Sequence, residues 1–474
     1  MSIVLYNQVI YLERRSGRQR VWRRKEAIRQ IHERPGQERE MSEAVGGAMQ
    51  PQASTPLVVP WRRNVTLVLL LTVAAVSYID RQVFTLFQDD IKAELGLNDG
   101  QLGILTGFSF GLFYALAAFP IARYADRGDR RLVISLCVTI WSMATVACGM
   151  AGNFFQMLLA RIGLAAGEAG AGPASNSLLV EIFPPHRRVL VISTMLAASA
   201  VGLSGGLALA GWLSTFYHWR TVFYIVGVPG IALGLIVWLF AAEPRRSKGE
   251  TAPAPVNNLR PFEVIKLMAS SASLRWVGVM MLTVPLSGFA FILWGASFFR
   301  RVHDMPVAEV GFWMGGMMAG GLVLGNLLAG YIGDRFGASN PRFNSWLAAG
   351  GLFLAFPFAM IFCFSENAYV ALGCFLIVKF LMTLYLGPTI ALSFAQVPVS
   401  MRAIMSATIN MLIGIAGTGI GGTLAGFLSA WLEPSYGLES LRYSLAITST
   451  TLLLGGIAAI MAGRTAKILP ESLK

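Results

Sequence analysis

Twelve stretches of this chain stay apolar over the length of a membrane crossing, separated by short polar segments. They lie near 65–88, 102–124, 132–151, 154–180, 188–214, 219–241, 275–299, 308–332, 343–364, 367–394, 403–431 and 440–463. A helix needs roughly 20 apolar residues to span the hydrocarbon core. The stretches are rich in Leu, Ala and Gly and lack the period-two alternation of strands, which predicts helices. Helices apolar on every face do not build a soluble domain. The pattern therefore predicts an all-α membrane protein with twelve transmembrane helices.

Between the sixth and seventh stretches the text turns charged, then Pro/Ala-rich, then amphipathic from Pro261 (EPRRSKGETAPAPVNNLRPFEVIKLM). This reads as a linker dividing six helices from six. The expected organisation is a disordered basic cytoplasmic tail over 1–60, a six-helix bundle over 61–242, and a cytoplasmic linker with a short amphipathic helix over 243–273. A second bundle over 274–465 and a tail over 466–474 follow. For the first tail two readings stay open: a basic segment touching anionic lipid, or translation beginning at Met41 or Met49.

Composition agrees: 55% of the 474 residues are hydrophobic and 13% charged, against about 25% charged in soluble domains. The net charge of +13 raises nucleic acid as a partner, but its distribution points elsewhere. Arg and Lys gather in alternate loops, as at Arg62 and Arg63, Arg123 to Arg131, Arg187 and Arg188, Arg245 to Lys266, Arg335, Arg342, Arg402 and Arg464. That bias places both termini in the cytoplasm, in a bacterial inner membrane. Arg300 and Arg301 are the main exception. The four Cys lie within apolar stretches and read as small buried hydrophobes. The four His have no ligand spacing, so neither a metal nor a cofactor is expected. The expected partners are a small-molecule substrate, protons and the bilayer, with the protein acting as a monomer.

The two halves echo each other. GPASNSLLVEIFPPHRRVLVISTMLAASAVG from Gly172 is answered by GPTIALSFAQVPVSMRAIMSATINMLIGIAG from Gly387, and ADRGDRR from Ala125 by GDRFGAS from Gly333. Repeated six-helix halves mark secondary transporters. ARYADRGDRR also resembles the loop signature of the major facilitator superfamily, matching at Asp126, Arg127, Arg130 and Arg131 and departing at Ala122 and Asp129. The resemblance implies the major facilitator fold of two six-helix pseudo-repeats. It further implies that Asp126, Arg127, Arg130, Arg131, Asp334 and Arg335 form a conformational gate, whose charge pairs break and re-form as the halves rock. SYIDRQVF and ARIGLAAGEAGAGPAS resemble the Spinster branch at Tyr78, Asp80, Arg81, Arg161, Gly167, Glu168, Ala169 and Pro173. Eukaryotic Spinster members move sphingoid and lysophospholipid molecules; the Asp-Arg pair is shared with organic-anion:cation symporters.

Charges inside a span cost about 2.5–3.5 kcal/mol on insertion scales and mark function. At 1.5 Å per residue, Asp80 and Arg161 both lie about 12 Å below the outer surface, with Glu168 two turns further in. The expected cluster is Asp80, Arg81, Arg161 and Glu168 in one vestibule, with Glu168 and then Asp80 as proton carriers. Arg81, Arg161, Tyr78, Lys379 and Tyr385 are candidates for substrate or charge relay. For Lys379 a second reading is snorkelling to the surface. Asn326 and Asn410 are weaker polar candidates, and Phe291, Trp294 and Phe298 suit either an amphipathic ligand or helix packing. The function expected is a proton-coupled secondary transporter for an anionic or zwitterionic solute, either a lysolipid-like amphiphile or a sugar acid. No H-E-x-x-H, nucleophile elbow or Walker loop supports a membrane enzyme or a primary pump, and the twofold repeat disfavours a channel or sensor.

Overall fold

A computed structural model describes residues 59–244, 266, 268–269, 271–337, 340, 342–398 and 401–466. The N-terminal tail up to residue 58, most of the linker with its expected amphipathic helix, and the chain after Ala466 lie outside the described residues. The first half contains α1 (Pro60–Leu95), then α2, made of Asp99–Gly103, a π-helical turn Ile104–Phe108 and Ser109–Arg127. It continues with α3 (Arg130–Met150), α4 (Phe154–Glu168 and Ala171–Ile182), α5 (Pro185–Ser214) and α6 (Trp219–Phe240). The second half holds α7 (Ala272–Val302), α8 (Val307–Ile332, extended by a π turn Gly333–Gly337), α9 (Phe343–Phe364) and α10 (Ala368–Thr383 and Leu386–Phe394). Last come α11 (Arg402–Ile413, the π segment Gly414–Gly421 and Gly422–Tyr436) and α12 (Ser440–Ser449 and Thr451–Thr465). Among the described residues, ten helical segments are long and apolar enough to cross a membrane. One of them, Ile404–Thr465, carries both α11 and α12, and the broken α4 supplies the twelfth pass.

The ends of these helices follow from local chemistry. Asn98, Asn153 and Asn367 cap α2, α4 and α10 by accepting backbone N–H bonds, Asn98 reciprocally with Gln101; such caps each contribute about 1 kcal/mol. Gly96 ends α1 at φ 62°, a left-handed conformation that glycine adopts without strain. The breaks in α4 and α10 have one shared cause. Pro173 and Pro388 each lack the N–H that would bond four residues back, and their rings crowd that carbonyl. The residues four back are Ala169 and Leu384, where the first segments of α4 and α10 stop. The repeated Gly-Pro thus kinks the fourth helix of each half at the same place.

Thr66 near the start of α1 accepts a bond from the Ala242 N–H after α6, and Ser273 at the start of α7 bonds to Ala462 late in α12. The starts and ends of both halves therefore share one end of the bundle, called here the terminal end. At the opposite, far end the halves are joined. Arg301 of α7 binds Asp89 of α1 (2.6 Å) and Asp99 of α2 (2.6 Å). Arg300 takes Asp90 through two nitrogens, at 2.8 and 2.9 Å. Lys92 reaches Asp99 (2.8 Å) and Glu433 of α11 (3.2 Å), and Ser429 donates to Asp99 at 2.7 Å. The two arginines that break the charge bias of the loops are thus partners of the acids at the end of α1.

Between these ion pairs and mid-bundle, α2 and α11 meet across their π-helical stretches. Thr423 accepts the Phe108 N–H at 2.8 Å and faces the Gly103 carbonyl at 3.0 Å, tying one π turn to the other helix. A Cβ on Gly111 would stand 2.7 Å from the Cα of Gly419, so only glycine permits this approach. One apolar cluster crosses the halves, from Phe84 and Leu207 to Trp294 and Met314; another, with Trp141, Leu178 and Val237, stays within the first half. Asp99→Ala would strip Arg301 and Lys92 of a buried partner, at a cost of about 3–5 kcal/mol. Spin labels at Gly152 and Glu366, in far-end loops of opposite halves, should then show a new, longer-distance population.

Candidate functional site

Between the halves lies a cavity of about 500 Å³. Its wall is exposed at Leu196 and Asn326, towards the terminal end, and buried at Thr106 and Met318, towards the far end. The space therefore opens at the terminal end and is closed by the far-end ion pairs. Most of the lining is apolar, from residues such as Leu203, Phe289, Ile292, Met318, Met382 and Leu386.

Three basic residues interrupt that apolar wall. Arg81 donates from Nε to Glu168 Oε2 at 2.6 Å, and its Nη2 meets the same oxygen. Its guanidinium also sits among rings, with Cζ 4.5 Å from the centre of Phe110, 4.9 Å from Tyr78 and 5.6 Å from Tyr114. Each such contact adds roughly 0.5–2 kcal/mol, so this pair is held in place from several sides. Arg161 donates to the Leu105 carbonyl at 3.0 Å and lies 4.4 Å from the Phe84 ring and 5.5 Å from Phe110. Its Nη1 is buried with no hydrogen-bond partner. From the other half, Lys379 is 4% exposed, donates to the Gly288 carbonyl at 2.8 Å, and faces the rings of Phe375 and Phe291. Among the described residues, neither Arg161 nor Lys379 has a carboxylate partner. Lys379 points into the bundle and does not snorkel.

Of the expected four-charge vestibule, three members face open space and one does not. Arg81 and Arg161 line the main cavity and Glu168 lines a smaller one beside it. Asp80 is fully buried, lines neither, and faces Thr145 and Trp141 of α3, with both oxygens unpartnered. The reason is geometric: successive helical residues project about 100° apart, so Asp80 cannot share the direction taken by Arg81. Tyr78 and Tyr385 line the cavity, Tyr385 at the break of α10. Asn326 lines it too, with its amide bonded to Leu322; Asn410 bonds to Ser406 and does not. Phe291, Trp294 and Phe298 are fully buried, Trp294 donating to the Gly422 carbonyl and the two phenylalanines packing against Phe362, Phe291 edge-on, so they pack the second half and do not line the main cavity.

At the terminal end, Arg130 is fully buried. It binds Glu243 beyond α6 through its backbone N–H (2.8 Å), Nε (3.3 Å) and Nη2 (2.8 Å), and Glu181 of α4 through Nη1 (2.7 Å). Arg131 pairs with Asp129 at 3.5 Å, and Arg335 bonds the Tyr331 hydroxyl at 3.0 Å. The side chains of Asp126, Arg127 and Asp334 lie outside the described residues. Sequence reasoning missed Glu181 and Glu243, the single acids of VEIFPPHRR and AAEPRR. It also missed Phe110 and Tyr114, whose spacing of four in FSFGLFYAL was the available signal. Among the described residues no group of three or more His, Cys, Asp or Glu could hold a metal.

Two six-helix halves, each with a broken fourth helix beside a charged central cavity, define a membrane transporter. The chain belongs to the Major Facilitator Superfamily, whose pattern matches residues 70–421. It is 30% identical over 404 residues to an MFS-type efflux pump of Mycolicibacterium smegmatis, covering 82% of this chain and 90% of the pump. It is 25% identical over 300 residues to a probable L-galactonate transporter of Escherichia coli, covering 61% and 63% respectively. The crystal structure of a bacterial homolog of the human lysosomal transporter Spinster, inward-facing and unoccupied, matches with TM-score 0.77 and 29% identity over 86% of this chain and 98% of that one. The resemblance to the Spinster branch therefore extends to the fold.

Glu243→Ala would leave the Arg130 guanidinium buried without its main partner, a loss of about 3–5 kcal/mol. Replacing both, as Arg130→Met with Glu243→Leu, should recover part of the lost melting temperature in detergent. Equal or greater loss in the double variant would show that the pair is not the source of the effect.

Proposed function

We propose that the protein is a secondary active transporter working by alternating access, proton-coupled, that moves an organic anion or zwitterion with an apolar body. One observation carries this reading: Arg161 from the first half and Lys379 from the second are buried on one cavity without a carboxylate partner. Two basic groups without a direct carboxylate partner in a low-dielectric space favour an anion, and the apolar wall between them suits a hydrophobic portion. A lysolipid- or sphingoid-like amphiphile meets both conditions. A sugar acid is the second reading, favoured by the similarity to the probable L-galactonate transporter.

The coupling follows from competition. An anion that draws Arg81 away from Glu168 leaves a carboxylate in an apolar setting, which a proton neutralises. Glu168 is the first carrier and Asp80, buried behind it, the second. The basic loops at the terminal end support a cytoplasmic side there, in a bacterial cell, with the open cavity facing inward. The Arg130 cluster with Arg131, Asp126 and Arg127, and its counterpart at Asp334 and Arg335, would act as the gate at that end. The protein would work as a monomer.

A thermal-shift screen of lysolipids and sugar acids should find the ligand, since saturation at 100 times Kd stabilises by about 2.7 kcal/mol. With that ligand in proteoliposomes, Arg161→Ala and Lys379→Ala should each weaken binding by about 10- to 150-fold, the range for losing a hydrogen bond to a charged group. Glu168→Gln should keep counterflow exchange but lose accumulation driven by a pH gradient. Undiminished proton coupling in that variant would remove Glu168 from the scheme, and unchanged affinity in both cation variants would remove the anion.

A further inference from the structure

Beside the main cavity, within the first half, lies a separate chamber of about 170 Å³. It runs from Glu168 towards the terminal end, between α1, α4 and α5, and adjoins the main cavity at Tyr78, Arg81, Leu196 and Ser199. Two residues that line it carry buried polar atoms with no hydrogen-bond partner, Oε1 of Glu168 and Oγ of Ser175, while the Trp141 indole faces Asp80. Both side chains belong to residues no more than 3% exposed. Gly172 and Asn176, both exposed, form its mouth on the α4 side, and Leu196, also exposed, lies on the wall shared with the main cavity.

Unpartnered buried polar atoms are costly unless something small bonds them. At about 30 Å³ per molecule the chamber has room for roughly five waters, each needing two to four polar partners. We infer that the chamber holds a short file of water that exchanges protons with Glu168, apart from the space where solute binds. The inference rests on the reading of Glu168 as a proton carrier and gives that residue two faces. Oε2 is held by Arg81 at the main cavity, while Oε1 is left without a hydrogen-bond partner on a residue that lines the chamber. Solute can therefore occupy one side while the proton arrives on the other. The O–H bond forms at Oε1 with a proton from the adjacent water, and the aqueous phase at the terminal end restores that water's proton. On release the proton returns the same way.

The titratable groups around Glu168 are Asp80, Arg81 and Tyr78 on α1, Tyr114 on α2 and Arg161 on α4. The α5 wall contributes Ile192, Met195, Leu196 and Ser199, none of which titrates. Among the described residues no other carboxylate lines the chamber to take the proton in place of Glu168.

Gly172 offers a clean way to close it. A Cβ built there meets nothing within 4 Å, so Gly172→Leu extends into open space. Hydroxyl-radical footprinting of the full chain in nanodiscs should oxidise Met195 and Trp141 in the wild type, both shielded from bulk solvent, and spare them in Gly172→Leu. Proton exchange at Glu168 can be followed after a pH jump by the infrared carboxylic-acid C=O band that Glu168→Gln abolishes. It should slow by about tenfold or more in the filled variant, a barrier change of about 1.4 kcal/mol. Asn176→Leu at the mouth serves if Gly172→Leu fails to fold. Unoxidised Met195 and Trp141 in the wild type would mean a dry chamber and overturn the inference. Normal exchange in the filled variant would overturn the route while leaving Glu168 as carrier. If no band is lost in Glu168→Gln, the carrier assignment itself falls, and the route with it.

Discussion

A charge inside an apolar bundle must find oxygen atoms, rings or water, and this requirement organises the protein. Arg130 draws α3, α4 and the segment after α6 together because a buried guanidinium needs two carboxylates. Arg301 and Asp99 close the far end on the same terms. Arg81 meets the requirement with one carboxylate and three rings. Against that background Arg161 and Lys379 stand out, because among the described residues their direct partners are a carbonyl and aromatic faces, with no carboxylate in contact. The sites whose charges are fully matched are the structural ones. The sites left incomplete are where a ligand can contribute.

The two halves share a plan but divide the chemistry. Each has a fourth helix interrupted by a proline three residues into its second segment. In the first half the interruption follows Glu168, and in the second it holds Tyr385. The first half carries the carboxylates and two arginines of the site; the second offers one lysine, with the uncharged polar groups of Asn326, Thr383, Tyr385 and Thr418 set in an apolar wall. A pseudo-symmetric frame therefore presents an asymmetric cavity, and a solute lying across it meets a different environment at each end.

The helices, their number, the six-plus-six division and the charged positions within the membrane were all legible from hydropathy, because a span's length is a property of the sequence itself. The repeated Gly-Pro was visible too, although its consequence, a break at Ala169 and Leu384, needed the proline's missing N–H to be traced four residues back. What could not be read was helix rotation. Whether Asp80 or Arg81 faced the cavity depended on which neighbour α1 packed against. For the same reason Arg300 and Arg301 looked like a defect in the charge bias until Asp89, Asp90 and Asp99 were found opposite them. The π turns left no pattern in hydropathy at all.

Those π turns set the pitch of the seam along which α2 and α11 meet. Gly103, Gly107 and Gly111 are spaced four apart and all lie against α11. An α-helix, at 3.6 residues per turn, would carry such a stripe steadily round to one side. The wider π turn between them cancels that drift and keeps the stripe straight. The fit between α2 and α11 is thus a matter of shared periodicity as well as of small residues. Were either helix to relax to regular α geometry, the glycines would rotate out of line and bulkier neighbours would meet in their place, wedging the seam apart.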